Sequence, residues 1–162
     1  MERRNLTLLT DLYELTMMQG YFERGSKETV VFDMFFRSNP CKAGYSIAAG
    51  LEQVIDYIKG LHFTYEDVSY LRSLKIFSDE FLHYLSGFHF SGDIYAIPEG
   101  SVVFPKEPLL KVVAPIMEAQ LVETAILNIV LSQFLGNWSL IVATLAGAAI
   151  GMYIVDDEYL LS

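Results

Sequence analysis

The chain has 162 residues, of which 52% are hydrophobic, 14% aromatic and 19% charged, a composition that excludes a disordered or fibrous protein and supplies a core for a single domain. The net charge is −9 and all 11 lysines and arginines lie at or before Lys111, which argues against a nucleic-acid partner, because phosphate binding relies on clustered basic side chains. The single cysteine, Cys41, excludes an intrachain disulfide and fits a reducing compartment. Met1-Glu2-Arg3-Arg4-Asn5 lacks the apolar core of a signal peptide, so a cytoplasmic location is expected.

Leu6 to Arg24 predicts a first helix, with Thr10 or Asp11 as its N-cap and Gly25 as its C′ residue; Leu8, Leu12, Leu15, Met18 and Phe22 recur at helical spacing. The β-branched and aromatic run Thr29 to Phe36 predicts a strand with Val30, Phe32, Met34 and Phe36 on one face and both faces at least partly covered. A loop around Asn39, Pro40 and Gly44 follows, then a second helix from about Ile47 to Lys59 with Leu51, Val54, Ile55 and Ile58 as its buried stripe. Thr64-Tyr65-Glu66-Asp67 has the form of a capping box opening a third helix, and Ser78 caps a short fourth one closed by Gly87. Asp93 to Ile97, Ser101 to Phe104 and Leu109 to Val113 read as three short strands in an antiparallel meander, and a further helix starts near Pro115. This order predicts an α+β fold, with helices packed on a small, mostly antiparallel sheet.

No charged residue occurs between Thr124 and Val155, and Ser139 to Val155 is nearly all apolar, with a GxxxG at Gly147 and Gly151. As a helix those seventeen residues would extend about 26 Å, short of a hydrocarbon core of about 30 Å. The expectation is therefore a buried or partner-packed helix, with membrane attachment as the alternative.

The sequence offers no self-sufficient catalytic constellation. His62, His83 and His89 lack metal-ligand spacing, and Asp79 and Glu80 suit the positive end of a helix dipole. Cys41 next to Lys42 has no assignable base. Tyr13 is the aromatic to note: beside Asp11 at a helix start, it can offer a flat π face to an aromatic ligand or serve as a core aromatic.

The ordered segments Leu8-Leu9-Thr10-Asp11-Leu12-Tyr13, Phe35-Phe36-Arg37, Ala48-Ala49-Gly50-Leu51, Pro98-Glu99-Gly100, Phe104-Pro105, Pro108-Leu109-Leu110 and Glu123-Thr124 resemble the nicotinate phosphoribosyltransferase family from about Asn5 to Val130. The resemblance implies an N-terminal α+β domain over residues 1–130, followed by a divergent apolar helical tail over 131–162, with no barrel domain. It implies a glycosyltransferase that joins nicotinate to phosphoribosyl pyrophosphate in NAD biosynthesis, uses Mg2+ and ATP, and has its sites near a homodimer interface. By the same resemblance Tyr13 stacks on the nicotinate ring, Asp11 belongs to that motif, and Arg37 has a substrate-side or interface role. The phosphorylated histidine and the phosphoribosyl-binding groups belong to the later barrel and are not carried over to His62, His83 or His89. The tail departs from the family, with Ser139 to Ala146 only a partial echo lacking basic residues. A fragment, an altered reading frame after about Val130, or a domain working beside a separate barrel chain would each give this pattern.

Overall fold

A computed structural model describes residues 5–39, 43–135 and 149–154. It contains β1 (Thr29–Phe35), β2 (Ser46–Ile47), β3 (Asp93–Ala96), β4 (Val102–Val103), β5 (Leu110–Pro115) and β6 (Ala149–Ile154). The helices are α1 (Leu12–Arg24), α2 (Leu51–Gly60), α3 (Tyr65–Ser73), α4 (Asp79–Ser86) and α5 (Ile116–Leu135). The fold is the α+β arrangement expected.

The main sheet has the order β3-β5-β1-β6, with every pair antiparallel. Val30, Phe32 and Met34 alternate into the core from β1, while Val31, Asp33 and Phe35 on the other face are half-buried. Opposite them, β5 turns in Leu110, Val112 and Ala114, with Phe32 facing Val112. Helix α5 lies against β1 and β5 and is in turn covered by α1 and α2. Its buried residues Ala119, Leu121, Val122, Ala125 and Ile126 fill the middle of the molecule.

The three-strand meander does not form. Strand β3 pairs with β5, whereas β4 pairs with β2 in a separate ribbon. Backbone bonds explain the switch: Gly100 N–H donates to Ala48 O and Ala48 N–H to Ser101 O, both at 2.9 Å. These bonds bind the 100–103 turn and strand to the segment after β2. That segment had been expected to be helix, but α2 begins only at Leu51, after Gly50 adopts φ 103°. A Cβ at Gly50 would also sit 3.3 Å from the Val130 backbone, so glycine is required twice over. On α2 the inward positions are Val54 and Tyr57, continued by Leu61, while Ile55 is 39% exposed. The spacing of three and seven from Val54 follows the helical period, and Ile55 falls one step past the covered stripe.

Helix α1 starts at Leu12 rather than Leu6, because Leu6 to Leu9 closes its own turn through Leu9 N–H and Leu6 O at 2.8 Å. Asp11 is the N-cap and Gly25, at φ 67°, the C-cap. The Thr64–Asp67 capping box and the Ser78 cap are present as expected, Ser78 Oγ accepting from Phe81 N–H at 3.3 Å. Between α1 and α4 an aromatic cluster forms, with Phe22 and Tyr84 ring centres 5.2 Å apart and Phe81 wholly buried.

Residues Ala149–Ile154 are the fourth strand of the sheet, with Met152 opposite Phe32, and not part of the helical tail expected there. Alternating small and β-prone residues suit a strand adding to the open edge of β1. Among the described residues no helix is long and apolar enough to cross a membrane. The rest of the 131–162 stretch past Leu135, and Cys41 and Lys42, lie outside the described residues.

Candidate functional site

The first turn of α1 is held on α5 by a carboxylate that is wholly buried. Glu14 is 0% exposed and accepts a hydrogen bond from the Thr10 hydroxyl and another, at 3.2 Å, from the backbone N–H of Asp11. From α5, Thr124 Oγ1 lies 2.8 Å from Glu14 Oε1 and 3.3 Å from Asp11 Oδ2, its one proton serving the shorter contact. On the same helix, Gln120 Nε2 donates to Glu123 Oε2 at 3.0 Å. These bonds tie the turn carrying Asp11 and Tyr13 to a helix more than a hundred residues later in sequence, a constraint that holds the Tyr13 backbone in place. The Tyr13 residue itself is 52% exposed.

The electrostatics are one-signed. Burial pushes the Glu14 carboxyl above the ordinary carboxylate range, and the nearby Glu123 charge adds to this, against the hydrogen bonds from Thr10, Thr124 and Asp11. Glu123 is likewise raised by burial and by Asp11, with the Gln120 bond opposing. The Tyr13 phenol is held above its usual value, first by desolvation and then by Glu123, Glu14 and Asp11. No lysine or arginine occurs on α5, and α1 has only Arg24 in its last turn. Behind Glu14, Tyr57 is 6% exposed and its hydroxyl has no hydrogen-bond partner; burial and the Glu14 charge push that phenol up strongly.

Arg37 is not part of this group. It follows β1 and lines an open cleft of about 420 Å³ with Asp33, Phe35, Lys106 and Pro108. Lys106 N–H donates to Phe36 O at 2.8 Å, which seats the lysine beside the end of β1 in a left-handed conformation, φ 71°. Asp33 Oδ1 is buried without a hydrogen bond, and its nearest cation, Lys111 Nζ, stands 3.9 Å away. The structure thus brings Asp11 and Tyr13 together and puts Arg37 at a second, cationic mouth.

Sequence reasoning missed Glu14, Glu123 and Thr124 as neighbours of Tyr13, and Lys106 as the neighbour of Arg37. For Glu14 a signal existed: it stands three residues after the Asp11 cap, the spacing of a capping box. Two other segments quoted for the family resemblance have a structural role here. Glu99 Oε1 accepts from Gly50 N–H at 2.8 Å and Glu52 N–H at 3.4 Å, so the Pro98-Glu99-Gly100 turn caps the helix opened by Ala48-Ala49-Gly50-Leu51. His62, His83 and His89 are all exposed. Among the described residues no group of three or more His, Cys, Asp or Glu side chains could hold a metal ion.

The fold is an α+β domain in which the turn carrying the exposed Tyr13 is hydrogen-bonded to α5. Residues 8–131 match the family model described as the nicotinate phosphoribosyltransferase N-terminal domain, and the chain belongs to that family. It is 50% identical over 121 residues to a nicotinate phosphoribosyltransferase of Mycobacterium tuberculosis, covering 75% of this chain and 26% of the relative. With the nicotinate phosphoribosyltransferase of Bacillus subtilis it is 40% identical over 158 residues, 97% of this chain and 31% of the relative, a match that reaches into the apolar tail. The crystal structure of human nicotinic acid phosphoribosyltransferase superimposes with a TM-score of 0.71 at 33% identity, covering 78% of this chain and 26% of that one. The chain therefore spans about a quarter to a third of the length of the relatives it matches.

Proposed function

We propose that this chain is the substrate-side domain of a nicotinate phosphoribosyltransferase, and that Tyr13 stacks on the pyridine ring of nicotinate. The observation that carries the reading is the half-exposed Tyr13 ring on a turn locked to α5 through Glu14 and Thr124. A face fixed in advance lowers the entropy of orienting an aromatic substrate for attack. Asp11 supports this turn as the helix cap, and Arg37 with Lys106 forms a cationic mouth suited to phosphate oxygens. The reaction joins nicotinate to phosphoribosyl pyrophosphate, giving nicotinate mononucleotide and pyrophosphate in the cytoplasm, with coupled ATP hydrolysis. The described residues offer no ligand set for Mg2+ and no glycine-rich phosphate loop for ATP, so no step through either is assigned to this chain. Those groups belong to the part of the relatives' length that the chain does not span, and the complete site forms in a homodimer.

The test is reconstitution. The 162-residue chain, given nicotinate, phosphoribosyl pyrophosphate, Mg2+ and ATP, forms no mononucleotide alone. Joined to the remaining length of a relative it turns over, and Tyr13→Ala then lowers kcat/KM by about tenfold, the upper range for an aromatic pair. Unchanged kcat/KM in that variant would sink the stacking role.

A further inference from the structure

The short ribbon of β2 and β4 has two unlike faces. Its register sets Ser46 opposite Val103 and Ile47 opposite Val102, and strand alternation sends the two pairs to opposite sides. Ser46 and Val103 are buried, whereas Ile47 and Val102 are 45% and 54% exposed. Tyr45 and Phe104, one residue further along each strand, continue the outer side at 56% and 48%. Four large apolar side chains therefore share one outward face, and none of its positions is charged. A contiguous apolar surface is unfavourable in water and marks a contact surface.

The size of the face decides what kind of partner it suits. Each of the four residues leaves about half its surface free, so together they offer roughly 300–400 Å². A stable dimer of separate chains buries about 800 Å² on each side, so a second copy of this chain is not held by this face alone. A partner in the same polypeptide needs less, because the connection keeps it at high effective concentration.

Three observations argue for such a partner. The ribbon lies within residues 8–131, the part that matches an N-terminal domain, and the chain spans only about a quarter to a third of the relatives' length. The end of the matched segment packs beside the ribbon. A Cβ at Gly50 would stand 3.3 Å from Gln133 Cγ and from the Val130 backbone, and Ala48, two residues earlier, is hydrogen-bonded to Ser101 next to β4. Lys106 follows Phe104 by two residues and lines the Arg37 cleft, so a part of the enzyme that completes a phosphate site there arrives next to this face.

We propose that the face formed by Tyr45, Ile47, Val102 and Phe104 is the surface on which the remaining length of the enzyme docks. An uncharged apolar patch of that part covers it, and the contact brings the phosphate-handling groups to the cleft of Arg37 and Lys106. The identity of this partner rests on the reading that the chain is one domain of a nicotinate phosphoribosyltransferase.

Hydroxyl-radical footprinting tests the contact, because each side chain's oxidation rate reports its access to water. The measurement compares the full 162-residue chain with the same chain joined to the remaining length of the Bacillus subtilis relative. Tyr45 and Phe104 should be oxidised about fivefold more slowly in the joined protein, as half-exposed side chains become the core of an interface. Tyr65 and Tyr70, exposed on α3, should keep their rates. Ile47→Arg and Val102→Asp should each return most of the lost rate to Phe104 in the joined protein, with Tyr65 and Tyr70 unchanged as evidence that the domain is folded. Unaltered Tyr45 and Phe104 rates on joining overturn the docking face, even where the joined protein forms mononucleotide and the function proposed above stands. Phe104 protection that survives both substitutions overturns it as well. Protection already present in the unjoined chain, and growing with its concentration, assigns the face to a second copy and overturns the proposal. Protection in a joined protein that forms no mononucleotide supports the docking contact and places the failure in the functional reading.

Discussion

Glu14 shows how a single side chain sets both the stability and the geometry of this domain. A carboxylate removed from water is costly unless donors replace its hydration, and here the Thr10 and Thr124 hydroxyls and the Asp11 N–H do so. Burial still leaves Glu14 and Glu123 with raised values, so both bind their protons more tightly folded than unfolded. For a group raised in the folded state, the stabilising contribution is present below the unfolded carboxyl value, about 4.3, and is lost as pH rises through the higher folded value. The two residues together therefore make the domain less stable on passing from acid toward neutral pH. Glu123→Gln removes one of them, so the melting temperature of that variant should gain on the parent as pH rises through this window; a constant or shrinking difference would contradict the assignment. At this scale Asp11 and Tyr13 were legible, because they lie in one turn of sequence. Their partners Glu123 and Thr124 were not, since nothing in local sequence says which turn of a later helix will meet the first.

Elements whose ends are set by neighbouring residues were readable, and those whose ends are set across the fold were not. The Thr64 and Ser78 caps and the Gly25 stop follow from side-chain and backbone preferences within a few residues. The pairing of β3 with β5, and of β4 with β2, depends on hydrogen bonds to segments far away in sequence, and so the meander expected from proximity fails. Residues Ala149–Ile154 misled for a related reason: an apolar, glycine-containing run is compatible with a helix until an open sheet edge is known to be waiting for it. Gly92 tests the close packing before β3. A Cβ there would stand 2.4 Å from Ala114 Cβ and 2.6 Å from Val113 O, so Gly92→Ala forces β5 to shift. Chemical denaturation of that variant should show a loss of about 1–3 kcal/mol, and an unchanged midpoint would refute the contact. Phe81→Ala, emptying the wholly buried centre of the aromatic cluster, should cost about 3–5 kcal/mol by the same measurement.

At the scale of the whole molecule Tyr13 is one of several exposed aromatic residues, with Tyr45, Tyr65, Tyr70, Tyr95 and Phe104, and is set apart by the bonds that fix its turn to α5. Sheet, α5 and α1 form a continuous packed body, and the two mouths at Tyr13 and at Arg37 open on different parts of it. The family was legible from the ordered motifs, several of which also serve the fold: Glu99 accepts from Gly50 N–H at the start of a helix. With about a quarter to a third of its relatives' length present, the domain is proposed to supply ring orientation, with the chemistry of the phosphates completed outside it. The most direct measurement of that division is the contact itself. In the reconstituted enzyme with nicotinate bound, nuclear Overhauser effects should connect the pyridine ring protons to the Tyr13 ring protons and disappear in Tyr13→Ala. Pyridine ring protons in contact only with Phe35 and the Arg37 side of the molecule, and never with Tyr13, would contradict it.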